Sequence, residues 1–172
     1  MMLHRFRDLV EEHQHRVFTF AYYYLGRREE AEDVTQEVFL RLWRHIESVE
    51  PDSAGAWLAR VTRNACYDLL RSRRSRKRLF RQGLDGPAER VADGSADTEA
   101  ASRGQEARQQ IERALAEVAE PYRTIVILRE LQGYKYQEIS DTMEMPLNTV
   151  KTYLHRGRRM LREQLTEAES YA

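Results

Sequence analysis

Cys66 is the only cysteine in the 172 residues, so the chain can form no internal disulfide and no cysteine metal cluster. With four prolines and eight glycines, breaks in regular structure are few, and long helices are favoured. Long apolar runs are missing too. The longest uncharged stretch, 17–26, is far too short to span a bilayer. The opening Met1-Met2-Leu3-His4-Arg5 has no signal-peptide core. The expected location is cytoplasmic, with no membrane insertion. No strand-type alternation occurs, nor any Gly-rich phosphate loop or nucleophile–base arrangement. His4, His13 and His15 lie close together, but not at a zinc-site spacing. The sequence therefore assigns no catalytic residue, metal, cofactor or small-molecule substrate, and an enzyme reading has no positive support. Net charge is absent as well: 28 Lys and Arg balance 28 Asp and Glu. Any attraction to nucleic acid must come from how charge is distributed.

That distribution is uneven. Glu29, Glu30, Glu32, Asp33 and Glu37 fall in a stretch with no basic residue. Arg71, Arg73, Arg74, Arg76, Lys77, Arg78 and Arg81 fall in one with no acidic residue. Hydrophobic content of 41% and charged content of 33% suit a soluble, helix-prone chain of one domain or two small ones.

Helical periodicity runs through the first half. Phe6, His13, Val17 and Tyr24 belong to one stripe, which predicts a helix up to Leu25 with Gly26 as its left-handed cap. Phe18, Tyr22 and Tyr23 widen its apolar surface, for core packing or for stacking on bases. A second helix is predicted over 28–46, with Ala31, Val34, Val38, Leu42 and Ile46 on one face and Phe39 and Trp43 beside it. Its acidic first turns suit the positive end of the helix dipole. Asp33, Gln36 and Glu37 share a polar face that can be plain surface charge or a docking patch. The turn-rich stretch 47–55 then leads into a third helix, whose loop end supplies the cap. Trp57, Leu58, Val61, Ala65 and Leu69 form its apolar side, and it enters the basic tract from Arg71 without a breaker. Between Gly83 and Gly104 the composition turns to Gly, Ala, Ser and Asp with excess negative charge, which reads as a flexible acidic linker.

Past the linker, Ile111, Leu115 and Val118 restore a helical period until Glu120-Pro121 interrupts it. Ile125, Val126 and Leu128 mark a short buried helix ending near Gly133, and Tyr136, Ile139 and Met143 mark another. After Pro146, Val150, Leu154, Gly157 or Arg158, and Leu161 form an apolar stripe, with Asn148 or Thr149 as the expected cap. The opposite face shows Lys151, Thr152, His155, Arg156 and Arg159, and no acidic residue occurs over 147–162. A short helix, a tight turn and a basic second helix make a helix-turn-helix, suited to the major groove. A solvated basic helix at a domain end is the plainer alternative.

Three stretches, in this order and spacing, resemble a sigma factor of bacterial RNA polymerase: the extracytoplasmic-function, group-four subfamily of the primary-sigma-like family. They are Glu32-Asp33-Val34-Thr35-Gln36-Glu37-Val38-Phe39-Leu40-Arg41-Leu42-Trp43, then Trp57-Leu58-Ala59-Arg60-Val61-Thr62-Arg63-Asn64-Ala65-Cys66-Tyr67-Asp68, and last Pro121-Tyr122-Arg123 with Tyr136-Gln137-Glu138-Ile139 and Pro146 to Arg159. The resemblance implies an all-α fold of two small helical domains joined by a flexible linker, the C-terminal one a helix-turn-helix. Residues 1–80 would form the region-2 domain, 81–107 the linker and 108–172 the region-4 domain. It further implies that Asp33, Gln36 and Glu37 grip core RNA polymerase. Ser48, Trp57, Arg60, Asn64, Arg71 and Arg74 would serve the −10 element and its melting. Lys151, Thr152, His155 and Arg156 would face the −35 element, with Arg158 and Arg159 on phosphates. Promoter DNA and an anti-sigma factor are the further implied partners. Three positions depart from the family pattern, one of them His155, which puts an imidazole at a DNA-facing place. Lys135 replaces a frequent Ser or Thr cap, a loss of about 1 kcal/mol, and Asn148 stands where Gly is frequent.

Thr149-Val150-Lys151-Thr152 also resembles response-regulator output domains, so a free-standing regulator is one rival. The alternating strands and helices of a receiver are missing from the first half. An adaptor working only through protein contacts is the other rival, and it would leave the basic faces unused.

Overall fold

A computed structural model describes residues 1–82 and 99–170. Among these residues there is no strand, and helices form two packed units. The first unit holds α1 (Met2–Leu25), α2 (Arg28–His45), a 3₁₀ turn at Pro51–Ser53 and α3 (Ala54–Arg81). Gly26 ends α1 at φ 68° and donates its N–H to Tyr22 O at 2.8 Å. A β-carbon there would cost about 1 kcal/mol. The apolar stripes converge as their periods predict: Phe20 and Tyr24 of α1, Val38 and Leu42 of α2 and Leu58 of α3 are all buried. Each such side chain contributes about 1.5–3 kcal/mol through burial. Cys66 is fully buried among them, and burial pushes its thiol pKa up, so it behaves as a small core group.

Two local expectations change. Ser53 does precede α3 but makes no side-chain cap; its hydroxyl donates to Glu50 O at 3.1 Å and serves the 3₁₀ turn instead. Arg73, one of the basic tract, turns back from it. Its Nε donates to Glu30 Oε1 at 2.9 Å, tying α3 to the start of α2. Burial lowers the Arg73 pKa to about 10.

The second unit holds α4 (Glu99–Glu117), α5 (Tyr122–Val126) continued by a π-helical stretch at Ile127–Leu131, α6 (Tyr136–Met143) and α7 (Leu147–Ser170). Helix α4 takes in 99–107, the end of the stretch expected as linker, because Ala, Glu and Gln there favour helix. The linker's 83–98 lies outside the described residues. Leu115, Ile125, Leu128, Ile139, Val150 and Leu154 form the core of this unit. Gly157 resolves the ambiguous place in the α7 stripe. A β-carbon on it would lie 2.6 Å from Val126 Cγ2, so only glycine lets α7 approach α5 this closely.

Helix α7 begins at Leu147, which puts Asn148 and Thr149 inside its first turn and not at the cap position expected for them. Ahead of α6, the missing cap at Lys135 is partly replaced: its backbone N–H donates to Glu138 Oε2 at 2.6 Å. The turn between α6 and α7 is held by Ser140 Oγ donating to Met145 O at 2.6 Å. Glu144 takes the left-handed conformation there, at φ 52°.

The two units touch along α1 and α3 of the first and α4, the π stretch and α6 of the second. Tyr134 is buried against α1, with the Arg16 guanidinium 5.4 Å from its ring centre. Gln132 donates to Arg16 O at 2.7 Å. Buried Arg123 donates from Nε to Val118 O at 2.9 Å and lies 4.9 Å from the Tyr24 ring.

Candidate functional site

Three surfaces carry the candidate residues. The first lies on α2. Asp33, Gln36 and Glu37 are all exposed on one side, three and four residues apart as a helix face requires. Glu37 is paired with Arg41 one turn later. Beside this patch is an apolar groove of about 470 Å³ between α1 and α2, lined by Phe6, Val10, Gln36, Phe39, Leu40 and Trp43. Leu40 and Trp43 remain 57% and 42% exposed. The Trp43 ring is held edge-on by Phe6 at 5.2 Å. Acidic groups beside open apolar surface suit a partner helix with a basic and an apolar side. The periodic reading noticed Trp43 but not the groove, because the groove needs α1 as its second wall.

The second surface is one side of α3. Trp57, Arg60, Asn64, Tyr67, Arg71 and Arg74 follow at three- and four-residue steps and so share that side. Asn64, Arg71 and Arg74 are exposed, and Trp57 is half-exposed, 6.0 Å from the His45 ring. Asn64 Oδ1 accepts from Arg63 Nη1 at 3.2 Å. Ser48 lies in the preceding turn, its hydroxyl donating to His45 O at 2.9 Å. Indole, amide and guanidinium groups in a row can stack on bases, read a base edge and hold phosphates. Arg60 departs from this pattern. Its Nε donates to Thr142 O at 3.2 Å and its Nη2 to Asp141 O at 3.1 Å, while Nη1 pairs with Glu144 at 3.1 Å.

The third surface is on α7. Lys151, Thr152, His155, Arg156 and Arg159 are exposed on one face, and Val150, Leu154 and Gly157 are buried on the other. The Thr152 hydroxyl donates to Asn148 O at 3.0 Å, and Arg159 pairs loosely with Glu163 at 3.6 Å. Tyr153 packs on Tyr122 with ring centres 5.1 Å apart, fixing the rotation of α7. Arg158 stands apart from the face: its Nε donates to Glu130 Oε1 at 2.5 Å. It sits between the stripe and the basic face, where a carboxylate on the π stretch reaches it first.

The three surfaces do not meet in one pocket. They are separate faces of one chain, and among the described residues no group of acidic, His or Cys side chains could hold a metal. No helix among them is long and apolar enough to cross a membrane. Sequence reasoning missed the residues that join the two units: Arg16, Glu120, Gln132, Tyr134 and Glu144. Pairs this distant leave no periodic signal.

Comparison with known proteins follows the same division. Residues 9–76 match the family model for Sigma-70 region 2, and residues 108–161 that for Sigma-70, region 4. The chain is 30% identical over 168 residues to the ECF RNA polymerase sigma factor SigW of Bacillus subtilis, spanning 94% of this chain and 89% of that one. It is 31% identical over 160 residues to the ECF RNA polymerase sigma-E factor of Escherichia coli K12, spanning 89% and 82%. Identity to the ECF RNA polymerase sigma factor SigE of Mycolicibacterium smegmatis is 33% over 163 residues, 95% of this chain but 62% of that longer protein. Among solved structures, the sigma factor RpoE in complex with the anti-sigma factor NepR from Bartonella quintana superposes with a TM-score of 0.69 at 24% identity. That match covers 94% of this chain and 96% of the other. CnrH in complex with the cytosolic domain of CnrY gives 0.69 at 21%, covering 94% and 88%. At these identities the structures show a shared fold.

Proposed function

The chain belongs to the sigma-70 family as an extracytoplasmic-function RNA polymerase sigma factor, and from that premise we propose how its three surfaces divide the work. A sigma factor is an initiation factor and not an enzyme, so its residues bind and position; they do not transform a substrate. Asp33, Gln36 and Glu37 form the anchor for core polymerase, with the groove at Leu40 and Trp43 taking the apolar side of the same partner helix. Charge steers the encounter and desolvated apolar surface slows dissociation.

The α3 side acts on the −10 element. Trp57 stacks at the edge of the opened duplex and Asn64 offers both donor and acceptor to an extruded base. Arg71 and Arg74 hold the backbone through phosphates, with Ser48 beside the entry. Extruding a base costs a few kcal/mol, which stacking and hydrogen bonds to the base must offset. Lys151, Thr152, His155 and Arg156 enter the major groove of the −35 element, and Arg159 takes a phosphate. Arg158 has its Glu130 partner to leave before it can join them. Residues 1–80 and 108–172 serve as the two functional domains, with 81–107 connecting them. The working location is the cytoplasm, where the polymerase is, and an anti-sigma factor is the expected regulator.

One observation carries this reading: the exposed Asp33-Gln36-Glu37 patch occurs in the same chain as two exposed cationic helix faces. Holding the chain on polymerase makes each DNA contact effectively intramolecular, so neither face needs high affinity alone. Purified chain added to core polymerase should produce specific transcripts from a cognate promoter. No gain of promoter-specific initiation on any candidate promoter would overturn it.

A further inference from the structure

The first turns of α1 send two side chains inward. Met2, Leu3, His4, Arg7 and Asp8 are exposed, while Arg5 and Phe6 are half-buried. Phe6 meets Trp43 in the groove already described. Arg5 reaches the other way along the chain. Its Nη2 donates to Val49 O, 44 residues on, in the turn between α2 and α3. Its Nε is buried without an acceptor. An arginine at a helix start can lie in water with every donor satisfied. Here it turns inward and leaves one donor unmade, a cost that the bond to Val49 O offsets.

That turn carries Ser48 and leads to Trp57. It is fastened to α2 through one atom: His45 O accepts from Ser48 N at 2.9 Å, from Val49 N at 3.1 Å and from Ser48 Oγ at 2.9 Å. The His45 ring is in turn 6.0 Å from the Trp57 ring. The Val49 side chain is buried beneath the turn, and beyond it the chain passes through Pro51–Ser53 into α3. The bond from Arg5 adds a tie from a third helix, α1. Glu47, Glu50 and Asp52 are exposed in the same turn, and an approaching phosphate chain repels these carboxylates. A charge-assisted bond to the backbone resists that push without placing another side chain on the face.

We propose that Arg5 is a positioning residue for the −10 element: it holds the Val49 carbonyl so that the turn keeps Ser48 beside the His45–Trp57 pair, where an extruded base is received. The proposal rests on the reading of α3 and its preceding turn as the −10 face. Its consequence is selective. Contact with the sugar-phosphate chain belongs to Arg71 and Arg74 and does not need the turn, whereas holding an extruded base does. Loss of Arg5 weakens contact with the base and spares contact with the backbone. Docking through Asp33, Gln36 and Glu37 is spared as well.

The test uses holoenzyme assembled from core polymerase and the full chain. Its probes are single-stranded oligonucleotides carrying the downstream element of a promoter mapped by its start site. An abasic site placed at each position in turn finds the base whose removal costs wild-type holoenzyme most. Arg5→Ala should lower affinity for the intact strand about three- to tenfold, the net scale of one hydrogen bond. It should leave affinity for the strand abasic at that position unchanged. Arg5→Lys, which keeps a charged donor, should restore most of the loss. Arg7→Ala, an equal loss of charge from the exposed side of the same turns, should change neither strand. Polymerase affinity and helical circular dichroism should match wild type throughout. The proposal is overturned if Arg5→Ala binds the intact strand as wild type does, if it weakens intact and abasic strands equally, if it loses polymerase affinity, or if Arg5→Lys rescues nothing. Failure of the −10 reading looks different, and the proposal falls with it. No abasic position would then matter to wild-type holoenzyme, and Asn64→Ala would bind every strand as wild type does.

Discussion

Helices α3 and α7 solve the same problem in different surroundings. Each hides an apolar stripe and shows cations on the other side. On α7 the face is open: Lys151, Thr152, His155 and Arg156 are exposed, Arg159 pairs loosely with Glu163 one turn on, and Arg158, at the margin, is tied to Glu130. On α3 the cations are divided among three tasks. Arg71 and Arg74 face outward, Arg73 fastens α3 to Glu30, and Arg60 is held by the other unit. A row of basic residues is therefore not a row of DNA contacts. Position along the helix decides which guanidinium meets a carboxylate of its own chain first.

On the proposed function polymerase brings both helices to the promoter, and the largest predicted effect comes from removing that anchor. Reversing charge at Asp33 and Glu37 to Lys should weaken assembly with core polymerase by about 2–5 kcal/mol, thirtyfold or more. Both residues are exposed, so the circular dichroism and melting of the chain should not change. Normal polymerase affinity in that variant would reject the docking assignment and leave α3 and α7 without a common anchor.

The difference between the two helices can be sharpened directly. Arg156→Ala should cost about 1–3 kcal/mol in binding to −35 duplex, in the free chain and in the holoenzyme alike, because its face is open. Arg60→Ala should weaken single-strand binding by the holoenzyme but change it little in the free chain, where Arg60 is engaged. Equal behaviour of the two substitutions in both states, measured by fluorescence anisotropy, would erase the distinction.

How α7 is held differs too. Its seat depends on Gly157, whose missing β-carbon admits Val126. Gly157→Leu should destabilise the second unit by about 1–3 kcal/mol through overpacking, visible in chemical denaturation, while the first unit keeps its midpoint. The smallest effect is one of pH. His13 is buried at the junction, and burial lowers its pKa from 6.5, with Glu12 opposing and Arg16 adding to that shift. The fold thus favours neutral imidazole. Its contribution is present above pH 6.5 and is lost as pH falls from there through the lower folded value. The loss follows from that lowered pKa alone. His13→Gln should flatten that part of the stability profile.

Much of this architecture is legible in sequence because it is periodic. The α1 stripe and its stop at Gly26, the α2 stripe, the uninterrupted passage of α3 into the basic tract, and the exposed face of α7 all follow from local spacing. The structure differs where a decision depends on residues far apart in the chain. The apolar groove needs Phe6 opposite Trp43. The inward turn of Arg73 needs Glu30, and the capture of Arg60 needs Glu144. Cap positions differ for a local reason: α7 starts at Leu147, one residue before Asn148. A helix start can shift by a residue without disturbing its apolar stripe. The polar face of α2 is legible as three residues at helical spacing, and only the resemblance to sigma factors sets it apart from ordinary surface charge.

The most direct test of the central claim, that one chain reads two promoter elements through two different helices, is mapping transcript start sites after its controlled expression. Induced starts should share two upstream sequence elements at fixed spacing. Arg156→Glu with Arg159→Glu should abolish dependence on the upstream element, and Asn64→Ala should weaken dependence on the downstream one. Start sites that share one element only, or variants that affect both elements alike, would contradict the division of labour between α3 and α7.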